Sequence, residues 1–442
     1  MTEAKTHTED SAVRISEKTP ETAIFLGSGC SVRLGVPPLA GFMDAVFDQL
    51  GKAGNGTDDG THLCNLQDFI REIKGSAAYV RTDFLNIEEL YGLAEMFSDL
   101  SSDKNNPGQK ALGALKKAIY KITIKAGVEL LDENRDFLKI AKQLDLVKRD
   151  SQTGTPVHAD FGTRHTNLLA YLCLASFKDG TDENGTYPLV AQFNWDLAYD
   201  RALFIFLKAQ QSNANTFADK MKKMIPWYDF GPFPKDKKNE FSFTEQPLVL
   251  RPHGAVNWLA INKCEDTDPL EEFKELSFIK LQVGDPNSKN GERLLHVPVN
   301  SIIDSTLAGE GNNMFDPYWA QYMRIVPPTW QKDVKQFQGQ WNLLKRYLET
   351  VRRIVFIGYS LPKSDLYFRH FMATALANNN FAPKVYVWNP KIHEDSPERE
   401  SYTDLFAPLA REDRLFGIPG RFGEPAMFDL NRAFYLAKPI SP

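Results

Sequence analysis

Cysteine is scarce and scattered in this chain. Its four cysteines, Cys30, Cys64, Cys173 and Cys264, form no Cys-x-x-Cys pair and no Cys/His set with structural-zinc spacing. Neither a disulfide framework nor a zinc ribbon is expected. Long apolar runs are also missing: no stretch of about 18 apolar residues is present to span a bilayer. An excess of positive charge is absent too. The 52 basic residues are outnumbered by 57 acidic ones, a formal charge of -5, so no global field draws nucleic acid or an anionic membrane. No G-x-x-x-x-G-K-[ST] occurs, which argues against ATP hydrolysis by the chain itself. The first glycine cluster fails G-x-G-x-x-G because Val32 stands at the third glycine, which disfavours ordinary dehydrogenase binding. Residues 1–20 are polar, lack an apolar h-region and read as a disordered lead. The expected compartment is the cytoplasm.

What is present begins with size. A chain of 442 residues, 42% of them hydrophobic, can bury a large core as one elaborated domain or two. Its organising stretch is AIFLGSGCSVRLGVPPL, Ala23 to Leu39. A β-branched and aromatic run breaks into glycine and leads to a helical pattern, the sequence form of a strand-turn-helix that cradles phosphate. Gly27 and Gly29 lack the Cβ atoms that would keep a pyrophosphate from the backbone amides, and Ser31 adds a hydroxyl.

Pro37 and Pro38 precede a helix over Gly41 to Leu50, and from Leu63 to about Gln143 the apolar period is helical. A further buried helix starts at His165, so residues 42–187 read as a large, mostly helical insertion. LVAQFNWDLAYDRALFIFLK is a second strand-turn-helix, with Gln192, Asn194 and Asp196 at the carboxyl end of its strand. A third apolar run, PLVLRPHGAVNWLAI, puts His253 and Gly254 where its strand should end. Cys264 to about Met323 yields only a strand near Arg293 to Val297. A helix with Trp341, Leu344 and Leu348 on one face precedes the strand RIVFIGYSLP, the helix SDLYFRHFMATALA and the strand KVYVWNP. This alternation predicts an α/β fold, a parallel sheet with helices on both faces, in which ligands sit at the carboxyl ends of the strands. Residues 392–442 are set apart as an extension packed on the core or used for association.

Together these strand ends resemble a family. Gly27-Ser28-Gly29-Cys30-Ser31 followed by Gly35-Val36-Pro37 is similar to the Gly-Ala-Gly-x-Ser and Gly-Ile-Pro signature of sirtuins, NAD-consuming enzymes with a Rossmann-like fold. Gln192-Phe193-Asn194-Trp195-Asp196 resembles their Thr-Gln-Asn-x-Asp element, and His253-Gly254 their catalytic His-Gly. Gly358-Tyr359-Ser360-Leu361 resembles their Gly-Thr-Ser-Leu turn, and Asn389 the Asn that closes the adenosine pocket. The likeness runs discontinuously over residues 21–391, and the shared order of the motifs carries it. The variants GYSLP, HGAVNW and VPPTWQK look most like sirtuin-like domains of bacterial antiphage defence systems, which hydrolyse NAD to nicotinamide and ADP-ribose.

The resemblance implies NAD as substrate and a domain over residues 21–391 that binds and hydrolyses it. Its binding residues would be Gly27, Ser28, Gly29, Ser31, Gly35, Pro37, Gln192, Gly358, Tyr359, Ser360 and Asn389. Asn194, His253 and Asp196 would be catalytic. Cleavage of the nicotinamide-ribose bond passes through an oxocarbenium-like state, and nicotinamide leaves as a neutral group without an acid. An amide such as Asn194 can orient ribose or water, and an imidazole such as His253 can accept a proton near neutral pH. Asp196 would orient a partner or favour the cation. Two departures separate this chain from the deacetylases of the family: the zinc ribbon is missing, and Leu39-Ala40 replaces their Phe-Arg. Hydrolysis without zinc is therefore the expected reaction.

Other readings stay open on sequence alone. Asn194 and Asp196 also suit N-caps of the following helix, and His253 a plain strand-end residue. The chain could be an NAD-dependent protein deacylase or ADP-ribosyltransferase, or a non-catalytic NAD or ADP-ribose sensor or scaffold. A constitutively active NAD hydrolase would kill its host, so the resemblance implies gating by assembly or a partner. It points to a homo-oligomer and to a HerA-family ATPase or a short Argonaute, with no direct role for nucleic acid or membrane. The helix around Trp341 and the C-terminal extension are the expected contact surfaces.

Overall fold

Thr22–Leu26 forms strand β1, buried at every position. A strand apolar on both faces needs cover on both faces, which is the environment of a parallel sheet between helices. The computed structural model describes residues 19–52, 57–76, 83–103, 105–129, 163–180, 185–209, 243–244, 247–262, 282–283, 292–296, 323–326, 337–363, 365–424 and 429–440. The expected disordered lead up to residue 18, the helical reading past 129, Cys264 and VPPTWQK beyond Val326 lie outside them.

After β1 come two 3₁₀ turns, Ser28–Cys30 and Val32–Leu34, then helices α1 (Leu39–Gly51), α2 (Asp58–Ser76), α3 (Ile87–Leu100), α4 (Pro107–Glu129) and α5 (Thr163–Ser176). This is the helical insertion expected from the apolar period. Phe69 of α2 meets Phe97 of α3 edge to face at 5.5 Å. Lys117 of α4 pairs with Asp58 and Asp59 of α2, and Lys121 reaches Asp59 at 2.6 Å.

The chain returns to the sheet as β2 (Leu189–Gln192), continues through α6 (Ala198–Ala209) and adds β3 (Leu248–Leu250). The third apolar run then divides. Gly254 takes φ 71°, and a Cβ there would strike the Arg324 carbonyl, so the backbone turns out of the sheet at Arg251–Gly254. Gly254–Asn262 becomes β4 of a second, antiparallel sheet with β5 (Gln282–Val283), β6 (Glu292–His296) and β7 (Met323–Ile325). His253 therefore stands at a corner between two sheets.

Helix α7 (Gln338–Leu348) leads to β8 (Arg353–Ile357), α8 (Leu366–Ala377) and β9 (Lys384–Trp388). Residues 392–442, set apart as an extension, carry the edge of this same sheet. Helices α9 (Pro397–Leu405) and α10 (Ala407–Arg411) precede β10 (Leu415–Ile418), which pairs parallel to β9. Helix α11 (Leu430–Leu436) then leads to β11 (Lys438–Pro439), antiparallel to β10. The sheet extends past residue 391.

The resulting seven-stranded sheet runs β11-β10-β9-β8-β1-β2-β3. With β8, β9 and β10 as its second half, this is the doubly wound order of a Rossmann-like fold. Leu26 pairs with both Gln192 and Ile357, so the loops after β1, β2 and β8 leave at one height. The order reverses between β1 and β8, the switch point at which such sheets open a crevice. Beneath it Phe25 stacks on Phe356 at 4.8 Å. Each buried ring of this size contributes about 2 kcal/mol.

Trp341 corrects one expectation about surfaces. Its ring is buried against Tyr367 and Phe371, at 4.9 and 4.8 Å, so α7 uses it inside the chain. Among the described residues of the C-terminal segment, Tyr435 and Leu436 of α11 are the exposed large hydrophobic side chains. Among the described residues no helix is long and apolar enough to cross a membrane.

Candidate functional site

A cleft of about 720 Å³, counting the space at its mouth, opens at the carboxyl edge beside the switch point. The loop after β1 lines it with Ser28, Val36 and Pro37, and the loop after β2 with Phe193, Asn194, Trp195 and Asp196. His253 enters after β3, and Tyr359, Ser360 and Pro362 after β8. The helical insertion closes the facing side with Leu39 and Phe42 of α1, Ile87 and Glu88 of α3, and Thr123 of α4. Of the residues singled out in the sequence, the cleft gathers Ser28, Pro37, Asn194, Asp196, His253, Tyr359 and Ser360.

The glycine loop is built differently from the expected phosphate cradle. A Cβ on Gly27 would sit 2.6 Å from Tyr359 Cβ, and one on Gly29 would sit 2.8 Å from Gly358 Cα. The Gly27 amide donates to the Ile357 carbonyl at 2.9 Å and the Gly29 amide to the Gly358 carbonyl at 2.8 Å. The Cys30 and Ser31 amides donate back to Gly27 and Ser28. Glycine is required because two loops cross in contact, and these four amides are already engaged. Ser31 is also buried, and its hydroxyl donates to Asp196 at 2.6 Å.

That bond belongs to a relay. The Asn194 amide donates to the Gly27 carbonyl at 2.9 Å and to the Ser31 hydroxyl at 3.3 Å, and Ser31 passes the chain on to Asp196. Asp196 in turn accepts the Ala198 amide at 3.0 Å and so caps α6. Burial raises its pKa, while the Ser31 hydroxyl, the Ala198 amide and the charge of Arg251 pull it back. Both nitrogen-borne bonds of Asn194 point into the protein, which leaves its side-chain carbonyl as the end for a ligand. Capping accounts for Asp196 but not for Asn194.

Arg251, fully buried, anchors this group from below. Its guanidinium donates to the main-chain carbonyl of Asn194 at 2.9 Å and to the carboxylate of Asp200, and its amide donates to Gln340. Burial pushes Arg251 down to about 10, still protonated at neutral pH, and pushes Asp200 up. Gln192 donates to Asp200 at 3.4 Å and works in this buried cluster instead of the cleft.

His253 is held by stacking on Phe193, with centroids 4.7 Å apart, and its Nε2 lies 3.9 Å from Asp365 Oδ2. Asp365 accepts the Tyr359 hydroxyl at 3.0 Å and caps α8 through the Phe368 amide at 3.0 Å. Burial and then the charge of Asp365 raise Tyr359 well above its ordinary value, so it stays a phenol. Burial likewise pushes up the Cys30 thiol, which keeps it unreactive inside the loop.

Gly35 lies in the exposed turn before Val36, Gly358 in the loop crossing, and Asn389 in the turn after β9, where its side chain accepts the Lys391 amide at 2.9 Å. None of the three lines the cleft. Sequence reasoning missed Phe193, Glu88 and Asp365 as parts of this site. A signal existed for Asp365, an acidic residue directly before a helical run. The cleft can bind an apolar or aromatic ring, hold a sugar by an amide carbonyl, and move a proton through an imidazole. Set against known proteins, the chain matches no protein-family model and no curated protein.

Proposed function

We propose that this chain is an NAD glycohydrolase that splits NAD into nicotinamide and ADP-ribose. The observation that carries the reading is the meeting of Asn194 and His253 in one cleft beside the switch point of a Rossmann-like sheet. The lining suits the nicotinamide-ribosyl half of NAD: Phe42, Phe193 and Trp195 offer ring surface, and the Asn194 carbonyl can accept a ribose hydroxyl. His253 is the base that takes a proton from water or a ribose hydroxyl as the oxocarbenium-like state is captured. Asp196 positions Asn194 through Ser31 and does not need to touch the reacting atoms. With the amides of Gly27, Gly29, Cys30 and Ser31 engaged, the exposed hydroxyls of Ser28 and Ser360 are polar groups offered to the diphosphate side.

The biological setting proposed with this chemistry is depletion of cellular NAD in antiphage defence. Activity is held off until assembly of a homo-oligomer, or a partner such as a HerA-family ATPase or a short Argonaute, releases it. The trial is direct: purified protein is incubated with NAD, alone and with the product of the neighbouring gene, and nicotinamide and ADP-ribose are measured. No product under either condition sinks the reading. A monomer in sedimentation that is fully active alone sinks the gating.

A further inference from the structure

Asn167 of α5 is fully buried, and neither end of its side-chain amide has a hydrogen-bond partner. An amide left open at both ends in a protein interior is costly, so such a group calls for something that fills it. Two neighbours frame the spot. In the loop after β10, Gly423 takes φ 86°, and a Cβ there would strike Asn167 Oδ1 and stand 3.5 Å from Arg33 Nη1. Arg33, half-buried in the turn after β1, makes no hydrogen bond or ion pair among the described residues. Glu424, the next residue in the loop, directs its carboxylate to Gly420 instead. A guanidinium and an amide thus meet against one glycine, and none of the three residues lines the cleft.

Both polar groups lead back to Ser31. Arg33 lies two residues beyond it, and Tyr171, one turn along α5 from Asn167, has its hydroxyl 3.2 Å from the Ser31 hydroxyl, which donates to Asp196. An unpaired guanidinium is well suited to phosphate oxygens, and the Asn167 amide offers an acceptor as well as donors. A phosphate with a hydroxyl close by satisfies all of them. We propose that Arg33 and Asn167 form a ribose-phosphate site beside the glycine loop, with Arg33 on the phosphate and Asn167 on the sugar hydroxyl. Gly423 covers Asn167 with backbone alone, and that backbone moves aside when the ligand enters. The site goes beyond the NAD-hydrolase reading and stands without it: its ligand is the ribose diphosphate of a dinucleotide reaching over from the cleft, or a separate ribose phosphate.

The test is calorimetric titration of the full chain with ribose 5-phosphate, alone and with saturating carba-NAD, a dinucleotide that cannot be hydrolysed. Wild-type protein is expected to bind ribose 5-phosphate, and Arg33→Gln to weaken it about tenfold. Arg414→Gln, at the amino end of β10, is the control and should change nothing. Loss of ribose 5-phosphate binding when carba-NAD is present makes the dinucleotide's own phosphate the occupant, and undiminished binding makes it a separate molecule. Asn167→Leu removes the unpartnered amide from the interior, so the melting temperature should rise while ribose 5-phosphate binding falls as in Arg33→Gln. Higher melting with binding intact would give Asn167 a packing role alone and overturn the site. No binding to wild type, or equal affinity in Arg33→Gln, overturns it whatever the protein does to NAD. Binding that depends on Arg33, in a protein that never cleaves NAD, upholds the site and sinks the hydrolase.

Discussion

His253 and Asp365 stand 3.9 Å apart, Nε2 to Oδ2, with both side chains buried. The separation is too long for a direct hydrogen bond and short enough for the carboxylate charge to act on the ring. Asp365 is itself locked by Tyr359 and by the first turn of α8, so the imidazole is aligned by a helix terminus as well as by its stack on Phe193. In the proposed reaction this makes Asp365 a positioning residue. Asp365→Asn keeps an acceptor for the cap and removes the charge. It is expected to lower kcat by roughly ten- to a hundredfold with little change in KM. His253→Ala should abolish turnover in a protein that still folds, as judged by circular dichroism. Equal kcat for wild type and Asp365→Asn would remove Asp365 from the mechanism.

Gly27 predicts a stability effect that no ligand contact explains. Gly27→Ala forces a methyl group into the Tyr359 backbone, at a crossing that lacks room to relax. A loss of about 2 kcal/mol is expected, from overpacking at a buried contact. Gly41→Ala is the matched comparison, because α1 leaves open space around Gly41; there alanine should be neutral or stabilising by up to about 1 kcal/mol. Denaturant unfolding distinguishes the two outcomes, and equal midpoints for both variants would contradict the crossing.

Removing Arg251 should cost more than any surface ion pair. The Arg251→Met variant leaves Asp200 buried without its guanidinium and takes the donor from the main-chain carbonyl of Asn194. Stranding one partner of a buried pair costs about 3–5 kcal/mol. Thermal melts are the measurement, and a variant as stable as wild type would show that the cluster is dispensable.

Acid should loosen the insertion before the sheet. The Lys117 hydrogen bond lowers Asp58 below its ordinary 3.8, and at Asp59 burial raises the pKa but Lys121 and Lys117 outweigh it, for a net lowering. Stability from carboxylates so lowered is complete above 3.8 and is lost as pH falls through their folded values. Burial and the charge of Lys117 lower His62 from 6.5, so the unfolded chain takes up its proton first, and stability declines as pH drops below 6.5. Both effects have the same sign. Amide protection in α2 and α4, corrected for the intrinsic exchange rate, should therefore fall between pH 7 and about pH 3 ahead of protection in β1 and β8, and His62→Gln should remove the part that begins near 6.5. Uniform exchange across the chain would refute this.

The centre of the sheet is legible in the sequence because β1, β2, β8 and β9 are buried runs flanked by helix-period segments. The strand end at His253 is legible too, but the second sheet that begins at Gly254 is not, since the apolar pattern continues across the corner. Only the approach of the Arg324 carbonyl to Gly254, distant in the chain, turns it into a second sheet. β10 escaped notice for a related reason: LFGI is short, holds a glycine, and becomes a strand through its pairing with β9. In the site, Asn194, Asp196 and His253 stood out as polar residues at apolar strand ends. Glu88 could not stand out, because an acid in the first turn of a helix is an ordinary choice. Its place in the cleft depends on how α3 lies across the sheet.

The join between the glycine loop and β8 spans most of the chain: the Cys30 thiol bonds the Ile357 carbonyl at a sequence separation of 327. β1 gains β8 as its neighbour only after the ribosome has delivered the chain past Ile357, and so distant a closure comes late. A nascent chain holding β1, the insertion and even β3 still lacks Tyr359, Ser360 and the carboxylate behind His253. The cleft is therefore finished only after the chain has been made past Asp365. For a protein proposed to destroy a cofactor that its own host cell needs during synthesis, this order of assembly keeps unfinished copies harmless.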